Sequence, residues 1–279
     1  MKDKILIIIK IILIIILATS LYRIYDYNKN DKEFKDDTRE VQEKFEKKEV
    51  KKIDPKEDEA KRKNREAIEK IGELKKEYPS IVAWIKVGGT EIDYPLVKGS
   101  DNDYYLNHNY KDEYNVFGAI FMDYRNQENF SDQNTIIYGH NNQRAGNFKD
   151  LHKYEEEGFF NEERFIEIYS LEGYKKYKVF AVYNANSYDN FRSPTYTKEE
   201  EENLLKYIKD KNLIKKDFPE EFNNILTLQT CSPADTRLVV HGILVKDWYY
   251  FYYGILIWQT REIASLFRYF KCYIGSNGV

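Results

Sequence analysis

The sequence predicts a mainly β fold with added helices (α+β), in which about eight short strands form a closed β-barrel. Eight runs rich in β-branched and aromatic residues lie between Ile81 and Val245, separated by turn-forming Gly, Asn and Asp. These strands do not alternate regularly with helices, which argues against a parallel α/β sheet. No segment repeats with a period of 20–50 residues, so a solenoid is excluded.

The 279-residue chain is long enough for one sizeable domain with appendages. Charged residues make up 33% of it, concentrated between residues 28 and 78, so we expect a segmented chain. We predict an N-terminal membrane anchor (1–25), a charged stalk or linker (26–56), a folded domain (57–246) and an aromatic tail (247–279). The net charge of −3 lacks the cationic excess that phosphate binding needs, and we expect no nucleic-acid partner.

The first segment is an apolar run over residues 5–18, interrupted only by Lys10 and continuing weakly to Tyr25. About 20 apolar residues in a helix cross the hydrocarbon core of a bilayer. Ala18-Thr19-Ser20 also resembles a cleavage site, so a signal peptide is the alternative. The long isoleucine core favours an uncleaved single-pass anchor; with either reading, the rest of the chain lies outside the cytoplasm.

Two features separate the anchor from the first strand. Residues 26–56 are highly charged and poor in apolar side chains, which is typical of a stalk or a poorly ordered spacer. From Glu57 to Tyr78, apolar residues recur every three or four positions, and Pro79 follows. That spacing predicts an amphipathic helix packed against the following domain.

The eight predicted strands, in order, are IVAWIKV, TEIDYPLV, GAIFMDY, NTIIYGH, FIEIYS, KYKVFAVYNA, NILTLQT and RLVVHGILV. Helical structure is predicted around Phe148–Tyr154 and over Lys198–Asp210. In the tail, the apolar run from Trp248 to Trp258 is too short to span a membrane. We interpret the tail either as a membrane-surface helix or as a segment folded against the barrel.

Three residues with reactive or charged side chains lie at predicted strand ends. Cys231 ends one strand, a five-residue connection follows, and Arg237 opens the next strand. His140 ends an earlier strand. Because strand side chains alternate, Cys231 shares a face with Gln229, and a short hairpin would bring it close to Arg237.

These residue types suit a cysteine acyl-transfer site. A nearby cation lowers the pKa of a cysteine thiol and so favours the nucleophilic thiolate. A histidine exchanges protons with the nucleophile and the leaving group, and an arginine stabilises a developing oxyanion. We interpret His108, His152, His241 and Cys272 as structural or incidental, and the two cysteines as free thiols. No cluster has metal-ligand spacing, so we predict neither a metal nor a cofactor.

The sequence TLQTC with Arg237 close behind it, preceded by NTIIYGHN, resembles the sortases, the membrane-anchored cysteine transpeptidases of Gram-positive surfaces. The stretch ELKKEYPSIVAWIKVGGTEIDYPLVKGSDNDYYLNHNY, followed by FGAIFMDYRN, is similar to class B in particular. The resemblance covers roughly residues 57–246. Gln229 stands where class B often has a serine, and the connection from Cys231 to Arg237 is shorter than usual.

The resemblance implies a sortase-like barrel, a mechanism and a set of partners. Cys231 would attack the carbonyl of a threonine in the C-terminal sorting signal of a surface protein, and form a thioacyl enzyme. His140 would be the acid/base and Arg237 the ligand of substrate and oxyanion. An amine of a peptidoglycan precursor or a pilin would resolve the intermediate. The implied substrate-binding residues are Tyr138, Asn141, Gln229, Thr230 and Asp235.

Three alternatives stay open at this point. A pilin-polymerising sortase would use the same chemistry on a different acceptor. A peptidoglycan-directed cysteine hydrolase or L,D-transpeptidase also pairs cysteine with histidine outside the membrane. An anchored surface module without activity would keep the three residues as relics.

Overall fold

The computed structural model describes residues 2–47, 58–142, 144, 146–160, 162, 164–186, 189, 191–214, 218–231 and 236–245; for Cys231 it gives the backbone position. The chain forms two compact units, Met1–Leu244 and Val245–Val279. All elements below belong to the first unit. The predictions for the aromatic tail concern a segment outside the described residues.

Eight strands form a closed barrel, which confirms the predicted fold class. They are β1 (Ile81–Val87), β2 (Asp93–Lys98), β3 (Ile120–Met122), β4 (Asn134–Tyr138), β7 (Phe165–Ser170), β8 (Gly173–Asn186), β9 (Ile225–Cys231) and β10 (Thr236–Leu244). The order around the barrel is β1-β2-β3-β4-β9-β10-β8-β7. Two pairs of neighbouring strands, β2–β3 and β4–β9, are parallel, and the other barrel pairs are antiparallel.

Alternate side chains from these strands fill the barrel interior with apolar groups. Ile137 of β4, Leu226 and Leu228 of β9, and Leu238 and Val240 of β10 are buried in this interior cluster. Because strand side chains alternate, the residues between them lie on the outer face. The interior core therefore fixes which side chains of β4, β9 and β10 face outward.

Helix α2 (Glu59–Glu77) covers one part of the outer surface, as the sequence pattern predicted. Asp58 caps it by accepting a hydrogen bond from the Ala60 amide at 2.9 Å. Its apolar face, with Ile71 at the centre, packs around the fully buried Trp84 of β1. The helix thus closes an outer core between itself and the barrel wall.

The N-terminal helix α1 (Lys2–Lys47) is continuous from the apolar segment into the charged segment. Residues 26–47, for which we expected a stalk or a poorly ordered spacer, are helical and contact the barrel. Phe34, Val41 and Phe45 are buried there, and Phe45 stacks on Trp84 with ring centroids 4.2 Å apart. These apolar residues recur at helical spacing among charges, and burying them against the barrel stabilises the helix. The boundaries proposed at residues 25 and 56 remain predictions.

Shorter elements complete the first unit. A 3-10 helix spans Tyr104–Leu106, a two-stranded hairpin pairs β5 (Asn141–Asn142) with β6 (Gly146–Asn147), and a second 3-10 helix (Lys149–Glu155) precedes α3 (Glu157–Phe160). Helix α4 (Lys198–Lys211) begins with a capping box formed by Thr197 and Glu200. It buries Leu204 and Ile208 in a core shared with the outer face of β8, β9 and β10.

Candidate active site

Three neighbouring strands bring the predicted catalytic residues to one edge of the barrel. β9 lies between β4 and β10, with Tyr138 opposite Gln229 and Arg237 opposite Cys231. The Gly139 amide continues the β4–β9 ladder by donating to the Gln229 carbonyl at 3.2 Å. His140 follows directly, so the backbone places it beside the end of β9 that carries Cys231.

The same three strands place these residues on the outer face of the barrel. Leu228 and Leu238 point into the interior core, so alternation turns Gln229 and Arg237 outward. Helix α4 and the loop before it cover the adjacent part of this face. The backbone of the sequence-predicted trio therefore lies on the outer wall of the barrel rather than inside it. We call the outer surface bounded by these strand ends and the loop before α4 the groove.

The His140 ring is held by the backbone of the first 3-10 helix. Its Nε2 lies 2.7 Å from the carbonyl oxygen of Leu106. Because a carbonyl oxygen only accepts hydrogen bonds, this nitrogen must carry a proton. The contact fixes the orientation of the ring and spans 34 residues of sequence.

Arg237 is half-buried at the start of β10. Its Nη1 donates to the carbonyl oxygen of the preceding Thr236 at 2.9 Å. The connection from Cys231 to Thr236 contains Asp235, which lies outside the described residues. A role for Asp235 stays a prediction.

Tyr138, predicted to line the groove, belongs to a hydrogen-bonded network below it. Its hydroxyl donates to Oδ2 of the fully buried Asp123 at 2.7 Å. The Asn102 amide donates to the same oxygen, and Arg125 binds both carboxylate oxygens at 2.8 Å. Burial alone would raise the pKa of the Asp123 carboxyl, but these hydrogen bonds outweigh it and hold the pKa below its usual value.

Gln229 is held by a residue that the sequence analysis did not select. Nε of Arg192, from the loop between β8 and α4, donates to Oε1 of Gln229. Burial lowers the pKa of the Arg192 guanidinium, and the positive charge of nearby Arg237 lowers it further. Nothing in the local sequence predicts this contact, because 37 residues separate its partners.

The two other predicted substrate ligands have different surroundings. Thr230 is buried on the inner side of β9, and its hydroxyl has no hydrogen-bond partner among the described residues. It faces away from the outer surface on which Gln229 lies. Asn141 lies directly after His140, with its Nδ2 3.0 Å from Nε2 of His152.

The part of the chain that the structure describes contains no group of three His, Cys, Asp or Glu side chains arranged to hold a metal ion.

Comparison with known proteins shows which family the chain belongs to. The chain matches the sortase domain over residues 85–245, which is more than half of its length. It belongs to the sortase family. This sortase is 36% identical over 196 residues to sortase B of Listeria monocytogenes, covering 65% of the chain and 76% of that protein. It is 30% identical over 249 residues to sortase B of Staphylococcus aureus, covering 87% and 98%.

Solved structures of class B sortases share the fold. A Staphylococcus aureus sortase B–substrate complex is 27% identical, with a TM-score of 0.66, covering 78% of this chain and 99% of that one. A sortase B complexed with triglycine is 28% identical, with a TM-score of 0.67 and the same coverage. The protein is thus a class B sortase and a cysteine transpeptidase. Helix α1 is long and apolar enough to cross a membrane.

Proposed function

We propose that this sortase cleaves the C-terminal sorting signal of surface proteins after a threonine and transfers them to an amine of a peptidoglycan precursor. One observation carries the proposal: the register of β4, β9 and β10 brings the backbone of His140, Cys231 and Arg237 to one edge of the barrel. The anchor helix and the family match support a membrane location. The catalytic domain would lie on the extracellular side.

The reaction proceeds in two acyl transfers. The Cys231 thiolate attacks the threonine carbonyl carbon, and a C–S bond forms as the C–N bond of the scissile peptide breaks. The departing amine takes a proton from His140. An acceptor amine then attacks the thioester, loses a proton to His140 and forms a new amide, which releases the Cys231 thiolate.

His140 and Arg237 have distinct roles in these steps. Because the Nε2 proton of His140 faces the Leu106 carbonyl, the proton exchanged in the reaction would be at Nδ1. Arg237, opposite Cys231 in the ladder, would donate hydrogen bonds to the substrate carbonyl as negative charge develops on its oxygen. Neither step requires a cofactor.

Two relatives support the proposed classes of donor and acceptor. A Staphylococcus aureus sortase B has been solved with substrate and a sortase B with triglycine, a peptide that ends in a free amine. By analogy, the groove beside Cys231 would bind an extended sorting peptide, and a glycine-like amine would enter after the first product leaves.

The test uses the full-length chain in a non-ionic detergent with fluorogenic peptides that carry NPxTN-, SPxTG- or LPxTG-like signals. The wild type should cleave one of them after threonine, and triglycine should convert the hydrolysis product into a transpeptidation product seen by mass spectrometry. Cys231→Ala is the matched control and should be inactive. If the wild type cleaves no peptide and traps no thioacyl adduct, the proposed function is wrong.

A second variant tests the arginine. Arg237→Lys keeps the positive charge but loses the planar fork of donors, and it should lose most of the activity while folding normally. Thermal unfolding provides the control for folding. Turnover close to wild type would remove Arg237 from the mechanism.

A further inference from the structure

The contact between Arg192 and Gln229 ties a loop outside the barrel to the strand that carries the nucleophile. Gln229 lies two residues before Cys231 on β9, on the outer face of the strand. Arg192 reaches it from the loop between β8 and α4, which adjoins the groove. The pair therefore lies next to the reacting groups without including any of them.

The chemistry of the pair fixes the orientation of the Gln229 amide. An arginine side chain has donors only, so the atom that faces Arg192 Nε must be the amide oxygen, Oε1. The amide nitrogen, Nε2, then points away from Arg192. Among the described residues, no acceptor lies within hydrogen-bond distance of this nitrogen.

The backbone on both sides of Arg192 is held in place by buried Asn134 on β4. Nδ2 of Asn134 lies 3.3 Å from the carbonyl oxygen of Phe191 and 3.0 Å from that of Ser193. The backbone amide of Asn134 also donates to the carbonyl of Pro194 at 3.0 Å. The loop is thus fixed to the strand next to β9.

Two further contacts restrict Arg192 itself. Its carbonyl oxygen accepts a hydrogen bond from Nη2 of Arg125 at 2.7 Å, and Arg125 is bound to the buried Asp123. Its guanidinium lies over the ring of Phe191, 4.4 Å from the centroid. An arginine held in this way loses little additional conformational entropy when it binds Gln229.

We propose that Arg192 is a positioning residue that holds the Gln229 amide nitrogen toward the groove, where it donates a hydrogen bond to an oxygen of the bound peptide. The inference rests on the proposed function, because it concerns the same groove and the same substrate.

Strand geometry indicates which part of the peptide this donor reaches. Two residues along β9 separate Gln229 from Cys231, a distance of about 7 Å. An extended peptide rises about 3.3 Å per residue, so the donor lies about two residues from the scissile carbonyl. The partner oxygen is therefore a backbone carbonyl or a side-chain carboxamide at that position, which makes the pair a determinant of peptide specificity.

The test is a double-mutant cycle in the full-length protein with the best peptide. Arg192→Met and Gln229→Met each remove one partner and keep a similar volume. We expect each to raise KM about 10-fold, the loss of roughly one hydrogen bond, with kcat changed less than 3-fold. The double variant should be no worse than Gln229→Met, because Arg192 acts through Gln229.

Three controls separate positioning from a general structural effect. Arg192→Lys keeps one donor and should recover part of the loss in KM. The alkylation rate of Cys231, followed by mass spectrometry without peptide, should be unchanged in all variants. Arg39→Met, an arginine on α1 paired with Asp36 on the protein surface, should leave KM unchanged.

The outcomes distinguish this inference from the proposed function. If the wild type cleaves peptides but Arg192→Met keeps the wild-type KM, the positioning role is wrong and the sortase reaction stands. The positioning role would also be overturned if the effects of the two substitutions on KM were additive in the double variant. It would be overturned likewise if the variants lost stability and alkylation rate to the same extent as they lost peptide binding. If none of the peptides acylates Cys231 of the wild type, both proposals fail together.

Discussion

His241 on β10 should make the stability of the barrel depend on pH between 7 and 5. The imidazole is completely buried, packed beside the rings of Phe180 and Phe222, and burial lowers its pKa from 6.5 to about 3. Its two nitrogens lie 2.9 Å from the hydroxyls of Tyr183 and Thr227. The folded state therefore binds no proton here above about pH 4.

The hydrogen bonds of its neighbours fix the tautomer. Thr227 Oγ1 donates to Oδ1 of Asn134 at 2.6 Å, so the hydroxyl proton is already used and Oγ1 must accept from Nδ1 of His241. Nε2 then accepts from the Tyr183 hydroxyl. A protonated ring would bring a second proton toward Tyr183 and place a charge in an apolar core.

The magnitude follows from linkage. Below pH 6.5 the unfolded chain binds a proton at His241, whereas the folded chain does not. The free energy of unfolding therefore falls as the pH falls. Each pKa unit corresponds to 1.36 kcal/mol, so the step from pH 7 to pH 5 removes about 2 kcal/mol through this residue alone. The loss continues until the pH approaches the folded pKa of about 3.

The assay compares wild type with His241→Gln by urea unfolding of the full-length protein in detergent at pH 7 and pH 5. Glutamine offers one donor and one acceptor but does not titrate, so the wild type should lose about 2 kcal/mol more than the variant between the two pH values. The other histidines are present in both proteins, so their contributions to the pH dependence of stability cancel in the comparison. Equal losses, within about 0.5 kcal/mol, would refute the reasoning.

Three further perturbations have defined outcomes. Asp123→Asn should destabilise the fold by about 1–3 kcal/mol, and because the pKa of Asp123 is lowered in the fold, the wild type should lose more stability than this variant between pH 5 and pH 3 in urea titrations. Phe45→Ala removes a buried ring stacked on a tryptophan and should cost about 3–5 kcal/mol, seen as a lower Tm; a change under 1 kcal/mol would mean that α1 does not pack there. Gly118→Ala, at φ 59°, would press a methyl group to within 2.7 Å of the Leu106 carbonyl oxygen that holds His140; both Tm and kcat should fall, and an unchanged kcat would contradict the positioning role of that carbonyl.

The strands were predictable because their signal is local. The predicted runs IVAWIKV and FIEIYS coincide with β1 and β7. The position of β9 between β4 and β10 could not be read in the same way. A parallel β4–β9 pair joins segments about ninety residues apart, and only the closed barrel specifies it.

Two misses have different physical origins. Residues 26–47 were expected to form a spacer because charge dominates their composition, although Phe34, Val41 and Phe45 follow the spacing of one helical stripe. That signal was present and could have been used. Arg192 left no local signal, because its partner on β9 becomes a neighbour only when the loop before α4 folds back onto the groove.

The continuity of α1 changes how the catalytic domain can search for its substrates. The 46-residue helix is about 69 Å long at 1.5 Å per residue, and in the proposed anchored arrangement the bilayer core would take up about 30 Å of it. Just after the apolar segment of α1, Asn28 accepts a hydrogen bond at 3.0 Å from Arg144, which lies four residues after His140. A flexible spacer of 31 residues in place of this helix would have a root-mean-square end-to-end distance of roughly 30 Å, so the domain could move that far from its attachment point.

A continuous helix that lies along the barrel fixes the rotation of its N-terminal segment relative to the domain as well as the distance between them. One inserted residue between Tyr25 and Asn28 would turn the membrane segment by about 100° relative to the domain. The apolar residues of that segment are exposed on all sides, so lipid would accept any rotation of it. In the proposed anchored arrangement, the helix would therefore set the height of the groove above the bilayer but not the direction in which the groove faces around the membrane normal.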